Sequence, residues 1–208
     1  MYLWLAIDVD RQLASARRAA EQLSPSIGDG HPALTLPLHV SVRMSFPIPK
    51  QDAPDLIRRI DAYFGTISPF RIAARKIEKC GDTVRIRMRG GRMLRKIHRD
   101  LLALTQREFG IPPHPLDGDF VFHTTLFVHS DARAVDRAYA ALRQIPLPKY
   151  LTASRLLVGC SETGRADDYR VLRATILRNL TGVESCALRM CATELSTAVM
   201  RSDPFEQQ

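Results

Sequence analysis

Cysteine is scarce in this chain of 208 residues: there are four, Cys80, Cys160, Cys186 and Cys191, and no C-x-x-C pair among them. That scatter argues against a disulfide framework and a zinc knuckle and fits a reducing, cytoplasmic setting. Long apolar runs are also missing. Met1 to Ile7 is apolar but is stopped by Asp8 and Asp10, too short for a membrane span and without the basic start of a signal peptide. No H-E-x-x-H, P-loop or clustered acids point to a metal, so neither metal nor cofactor is expected. Acid is in deficit: 30 Lys and Arg stand against 22 Asp and Glu, a formal charge of +8 with pI near 9.7. Such a surface favours a polyanionic partner through attraction and counterion release. The rest is ordinary for a globular protein, 45% hydrophobic and 25% charged. The length suits one large domain or two small lobes sharing a core.

Periodicity then divides the chain. Met1–Val9 reads as a buried strand and Arg11–Leu23, rich in Ala, Arg, Glu and Gln, as a helix, followed by a Pro/Gly loop to Pro32. From Leu34 the pattern alternates. Leu34, Leu36, Leu38, Val40, Val42 and Met44 fall on one side, and Thr35, Pro37, His39, Ser41, Arg43 and Ser45 on the other. Period two predicts a strand with one buried and one polar face. Ala53–Phe64 reads as a helix capped near Asp52 and Pro54. Phe70–Lys79 and Thr83–Arg89 read as a hairpin, and Met93–Phe109 as a helix ended by Gly110 and Pro112-Pro113. Phe120–Val128 is a second apolar strand, Asp131–Gln144 a helix, and Tyr150–Cys160 with Tyr169–Arg178 a second hairpin.

The order His-bearing strand, helix, hairpin occurs twice. Cys80 lies 41 residues after His39, Gly164 lies 41 residues after His123, and both sit in predicted hairpin turns. Two repeats are too few for a solenoid. They predict an α+β, two-lobed pseudo-symmetric fold, each lobe an antiparallel sheet with helices on its outer face, around a central cleft. The lobes are expected at roughly 1–90 and 91–178, a division that allows terminal strands to be exchanged, with 179–208 as a C-terminal extension.

Residues i and i+2 of a strand point the same way, so His39 shares a face with Ser41, and His123 with Thr125. A hydroxyl can donate to a non-bridging phosphoryl oxygen, and an imidazole can take or give a proton near neutral pH. Two such units facing one another supply a base on one side of phosphorus and an acid on the other. A single H-x-[ST] is common by chance. Two, at matching places of a repeat, carry far more weight.

The pair His39-Val40-Ser41 and His123-Thr124-Thr125 resembles the 2H phosphoesterase superfamily, which includes the 2′-5′ RNA ligase and cyclic phosphodiesterase family. The resemblance covers about Met1 to Arg178. It extends to the opening strand, to Phe-x-x-His-x-Thr at Phe120–Thr125, and to Tyr169-Arg170-Val171-Leu172. Leu38 and Phe122 stand where the family often has Pro, and Ser41 where Thr is commoner. The resemblance implies catalytic His39 and His123, phosphate-binding Ser41 and Thr125, and no metal. It implies a substrate that is a 2′,3′-cyclic phosphate RNA end or a 2′-5′ linkage. A small cyclic nucleotide such as an ADP-ribose cyclic phosphate, or RNA binding without turnover, are the alternatives it leaves. A monomer is expected, since nothing calls for an oligomer.

Further residues are read more broadly. Arg43, on the His39 face, is a candidate substrate contact or a snorkelling strand-end residue; Tyr169 and Phe127 are candidates for the cleft or the core. Arg85, Arg87 and Arg89 form a basic strand face. Thr124 points into the core, Trp4 is a core residue, and His129 shares the His123 side near the strand end. His31, His98 and His114 are read as solvated or capping.

Overall fold

A computed structural model describes residues 1–27, 34–165 and 168–178. The loop expected from Ser24 begins later, since the chain is helical as far as Ile27; the rest of that loop with His31, and the extension after 178, lie outside the described residues. The helices are α1 (Ala14–Ile27), entered through a 3₁₀ turn at Arg11–Leu13, α2 (Ala53–Gly65), α3 (Arg92–Phe109) and α4 (Ala132–Leu142). Asp131 caps α4 by accepting from the amides of Arg133 and Ala134. Gly110, left-handed at φ 64°, ends α3, a conformation that favours glycine. No helix among the described residues is long and apolar enough to cross a membrane.

The strands are β1 (Tyr2–Asp8), β2 (His39–Pro47), β3 (Phe70–Cys80), β4 (Thr83–Arg89), β5 (His123–Val128), β6 (Tyr150–Ala153), β7 (Arg155–Ser161) and β8 (Arg170–Ile176). They form two antiparallel four-stranded sheets, ordered β2-β1-β7-β8 and β5-β4-β3-β6. The strand around His39 is shorter than its alternation suggests: Leu34 to Leu38 lie before β2. The strand expected at Tyr150–Cys160 breaks at Ser154, so that β6 serves one sheet and β7 the other.

The sheets do not divide the chain at residue 90. The hairpin that follows the His39 strand, β3–β4, joins the sheet of the His123 strand. The terminal hairpin β7–β8 joins the sheet of the His39 strand. Each half thus gives its hairpin to the other, and the lobes interlock. Helices α2 and α3 pack on the first sheet and α1 and α4 on the second. One continuous apolar core, from Leu3, Leu5 and Ile7 to Val84, Ile86 and Leu142, fills these helix-covered faces. The two sheets abut along β2 and β5, each an edge strand of its own sheet.

Candidate active site

His39 opens β2 and His123 opens β5, each on the face away from the helices. The register shows this. Asp8 lies opposite His39 and Ala6 opposite Ser41, and directly opposed residues share a face. Val40 and Thr124 point the other way and are buried. On the second sheet Arg87 lies opposite His123 and Arg85 opposite Thr125. Each strand therefore sets an imidazole and a hydroxyl side by side on its helix-free face.

The two imidazoles are held alike. Nδ1 of His39 contacts the Pro37 carbonyl at 2.8 Å, and Nδ1 of His123 contacts the Val121 carbonyl at 2.8 Å. A carbonyl oxygen only accepts, so each Nδ1 carries the proton and the neutral ring leaves Nε2 with its lone pair. Neither Nε2 bonds to another described residue, and neither do the hydroxyls of Ser41 and Thr125. Burial pushes both imidazoles below the ordinary histidine value. For His39 the Pro37 carbonyl opposes this, the charge of His123 adds to it, and Asp8 opposes it. For His123 the Val121 carbonyl opposes burial, Arg85 adds to it and Glu78 opposes it. The two rings are near enough for each other's charge to count, so the site disfavours two imidazolium ions together.

Neighbouring strands build unlike walls. The Trp4 ring packs against His39, tilted by 31° with centroids 4.6 Å apart, and with Ala6 and Leu157 forms a small apolar cluster on the helix-free face. Gly159 makes room for it: a Cβ there would stand 1.9 Å from Trp4 Cε2. Trp4 is thus not in the main core but under a catalytic candidate. Tyr169 packs on the same cluster, and its hydroxyl pairs with Ser45 Oγ. Asp8 is held by Arg155, and Asp10 Oδ1 accepts from the Leu38 amide at 2.8 Å, fixing the chain as it enters His39.

The wall of His123 is cationic. Glu78 accepts from Arg85 through Nε at 3.1 Å and Nη2 at 3.0 Å, and lies 3.6 Å from Lys76 and 3.8 Å from Arg87. It gathers three cations beside His123 and Thr125. Glu78 has no place in either histidine motif, and its signal in the sequence is the turn at Cys80–Thr83, which sets it opposite Arg85.

Two expected contacts are misplaced. Arg43 is 1% exposed and does not share the His39 face. Between Ser41 and Arg43 the register slips by one residue against β1, a bulge that turns Arg43 inward. There it donates to Asp117 Oδ2 at 2.8 Å and to the Pro112 carbonyl at 2.9 Å. Phe127 is turned by the same device: the slip falls between Thr125 and Phe127 against β4, and Phe127 sits in the core opposite Val84. His98, expected to be solvated, is buried; Nδ1 lies 2.9 Å from the carbonyl of Val42, the bulged residue, and Phe120 stacks on the ring. His114 does cap, accepting from the Leu116 amide. His129 ends its strand accepting from the Asp131 amide.

Comparison with known proteins agrees with this architecture. The structure resembles TT0787 of Thermus thermophilus with TM-score 0.60 and 18% identity, over 87% of this chain and 100% of that one. It resembles E. coli LigT, in a crystal structure with 3′-AMP, with TM-score 0.53 and 17% identity, over 85% and 98%. No curated protein sequence matches the chain. The family model of the 2′-5′ RNA ligase superfamily matches residues 8–159, which span both histidine motifs and strands of both sheets. The chain therefore belongs to the 2′-5′ RNA ligase superfamily, within the 2H phosphoesterases.

Proposed function

We propose that this protein is a metal-independent phosphodiesterase that opens 2′,3′-cyclic phosphates at RNA ends or cleaves 2′-5′ linkages. His39 and His123 are its general acid–base pair. The observation that carries the reading is the matched pair of Nδ1–carbonyl bonds, which leave both Nε2 atoms unengaged beside an unengaged hydroxyl.

In the reaction, water attacks phosphorus while one neutral Nε2 takes its proton. The bond from phosphorus to a ribose oxygen breaks, and the other ring, protonated, gives its Nε2 proton to that oxygen. Ser41 and Thr125 donate to the non-bridging oxygens, and Arg85, fixed by Glu78 across from Thr125, meets the charge that develops there. The mutual repulsion of the two imidazolium forms disfavours protonating both rings together, so the proton that acid–base catalysis requires is held by one ring while the other stays free as base. Free Nε2 atoms favour turnover over binding alone. The 3′-AMP held by LigT is in keeping with a nucleotide ligand.

The test is hydrolysis of a 2′,3′-cyclic mononucleotide and of an oligoribonucleotide with a cyclic phosphate end, both in EDTA. His39→Ala and His123→Ala are each expected to lower kcat by about 10²–10⁴-fold. Activity lost on adding EDTA would refute the metal-free scheme, and a His39→Ala variant as active as the parent would refute the assignment. An ADP-ribose cyclic phosphate preferred over every RNA end would replace the substrate.

A further inference from the structure

His123 stands at one end of a continuous run of cations. Arg87, opposite it on β4, borders a furrow of about 530 Å³ lined also by Arg75, Lys76, Arg89 and Gly90. Beyond Gly90 lies a hollow of about 260 Å³ lined by Arg92, Arg95, Arg99, Phe120 and Phe122, and by Asp117, whose charge is already met by Arg43. The two meet at Gly90, whose carbonyl accepts from Arg95 Nη1 and where a Cβ would stand 2.9 Å from the Phe122 ring.

Glu78 offsets part of this charge, at Lys76 and Arg87. Arg75, Arg89 and Arg92 form no salt bridge with any described residue. Helix α3 starts at Gly91 without a side-chain cap and without an acid in its first turn, carrying Arg92 and Arg95 instead. A helix N-terminus is already partly positive, so these cations stand where they repel and where an anion relieves them.

We infer that the furrow and the hollow form a track for the polynucleotide strand leading away from the phosphodiester at His123. Arg89 and Arg75 take the nearer phosphates. Arg92, Arg95 and Arg99 take the farther ones, with a base against the half-buried Phe120. Three features favour a strand over a flat anionic surface. The cations line two concave hollows in sequence. Arg87 and Arg89, two residues apart on one strand, are spaced by about 6.7 Å, of the order of one nucleotide step. Cationic groove and aromatic floor together are the usual means of holding single strands. The inference rests on the function proposed above, since it takes the reacting phosphodiester to lie at His123.

Fluorescence anisotropy over a range of salt tests it, with a dinucleotide and an oligoribonucleotide of about ten nucleotides, both ending in a 3′-phosphate. Arg92→Gln/Arg99→Gln, at two exposed positions, is expected to weaken the longer ligand roughly ten- to thirtyfold at about 0.1 M salt and to flatten its salt slope by about 1.4. The dinucleotide affinity and the turnover of a cyclic mononucleotide stay unchanged. An unaltered slope, or an equal loss for the dinucleotide, overturns the track. So does an acidic peptide that binds as tightly and is lost equally, because the surface is then a general anion site. If the parent protein turns over no cyclic phosphate, the proposed reaction fails while anisotropy still decides the track. If turnover is present and length dependence is not, the track alone fails.

Discussion

Arg43 offers the sharpest test of the backbone geometry, because the alternation of β2 and the observed register assign it opposite roles. On an unbroken strand it would reach into the cleft and hold substrate. In the structure it is sealed beneath β2 and bonded to Asp117, whose Oδ2 also accepts from the His114 amide at 2.6 Å. Burial pulls the guanidinium below its ordinary value and Asp117 opposes that. Arg43→Met keeps most of the side-chain volume and removes the charge. It leaves the Asp117 side chain, 3% exposed, without its cation. Removing one partner of a buried ion pair costs about 3–5 kcal/mol, a large share of the roughly 5–15 kcal/mol that holds a domain together. For a chain of this size it corresponds to a fall in Tm of about 6–20 °C.

The assay is urea or thermal unfolding, beside steady-state kinetics below the new Tm. Arg43→Met should melt much earlier and, while folded, retain KM. Arg43→Met/Asp117→Leu should recover part of the loss, because no uncompensated carboxylate remains. A variant that melts within about 1 °C of the parent, a margin well under the Tm cost worked out above, and shows only a raised KM would refute the buried placement, and with it the bulge.

The two imidazoles are depressed by burial, so the acid limb of kcat/KM should fall below the ordinary histidine value. Arg85→Gln, which removes a cation beside His123, should move that limb to higher pH, whereas Glu78→Gln should move it lower; pH–rate profiles decide both. The same depression has a stability sign. Above the unfolded value of 6.5 both states are neutral and nothing changes; below it the unfolded chain takes up protons that the native site resists. Stability should therefore decline as pH falls from 6.5 towards the native values, and His39→Gln/His123→Gln should flatten that decline in urea titrations. Gly159→Ala should destabilise by about 1–3 kcal/mol through overpacking and displace Trp4 from His39. As the chain has one tryptophan, its emission reports that shift directly, and unchanged emission with full turnover would count against the packing arrangement.

The elements that periodicity could show were legible. The alternation from Leu34 to Ser45 assigned Val40 to the core and put His39 with Ser41, and the equal 41-residue offsets exposed two like halves. Which hairpin joins which sheet was not legible beyond the allowance for exchange, because strand pairing is a long-range choice that leaves no local mark. The bulges were hidden for a related reason: the apolar Val42 and Leu126 suit either face, so nothing in composition announces that the register slips there. His98 did carry a signal. It lies four residues after Leu94 and three before Leu101, on the buried stripe of α3, where a solvated histidine does not belong.

The two bulges have one consequence in common. Each falls immediately after the hydroxyl residue, so beside each imidazole the strand itself offers only its His-x-Ser or His-x-Thr pair, and Ser45 farther along β2 is taken up by Tyr169. Whatever else faces a substrate must come from the adjoining strands, and these differ. Beside His39, β1 supplies Trp4 and Asp8; beside His123, β4 supplies Arg85 and Arg87, with Glu78 behind them on β3. Pseudo-symmetry therefore gives the pair of imidazoles, and its failure in the second rank of strands makes the walls unequal, one aromatic and acidic, the other cationic. A phosphodiester placed between them meets an imidazole backed by the buried Trp4 ring on one side and fixed positive charge on the other. That inequality can orient a nucleotide whose two ester oxygens would otherwise face equivalent histidines.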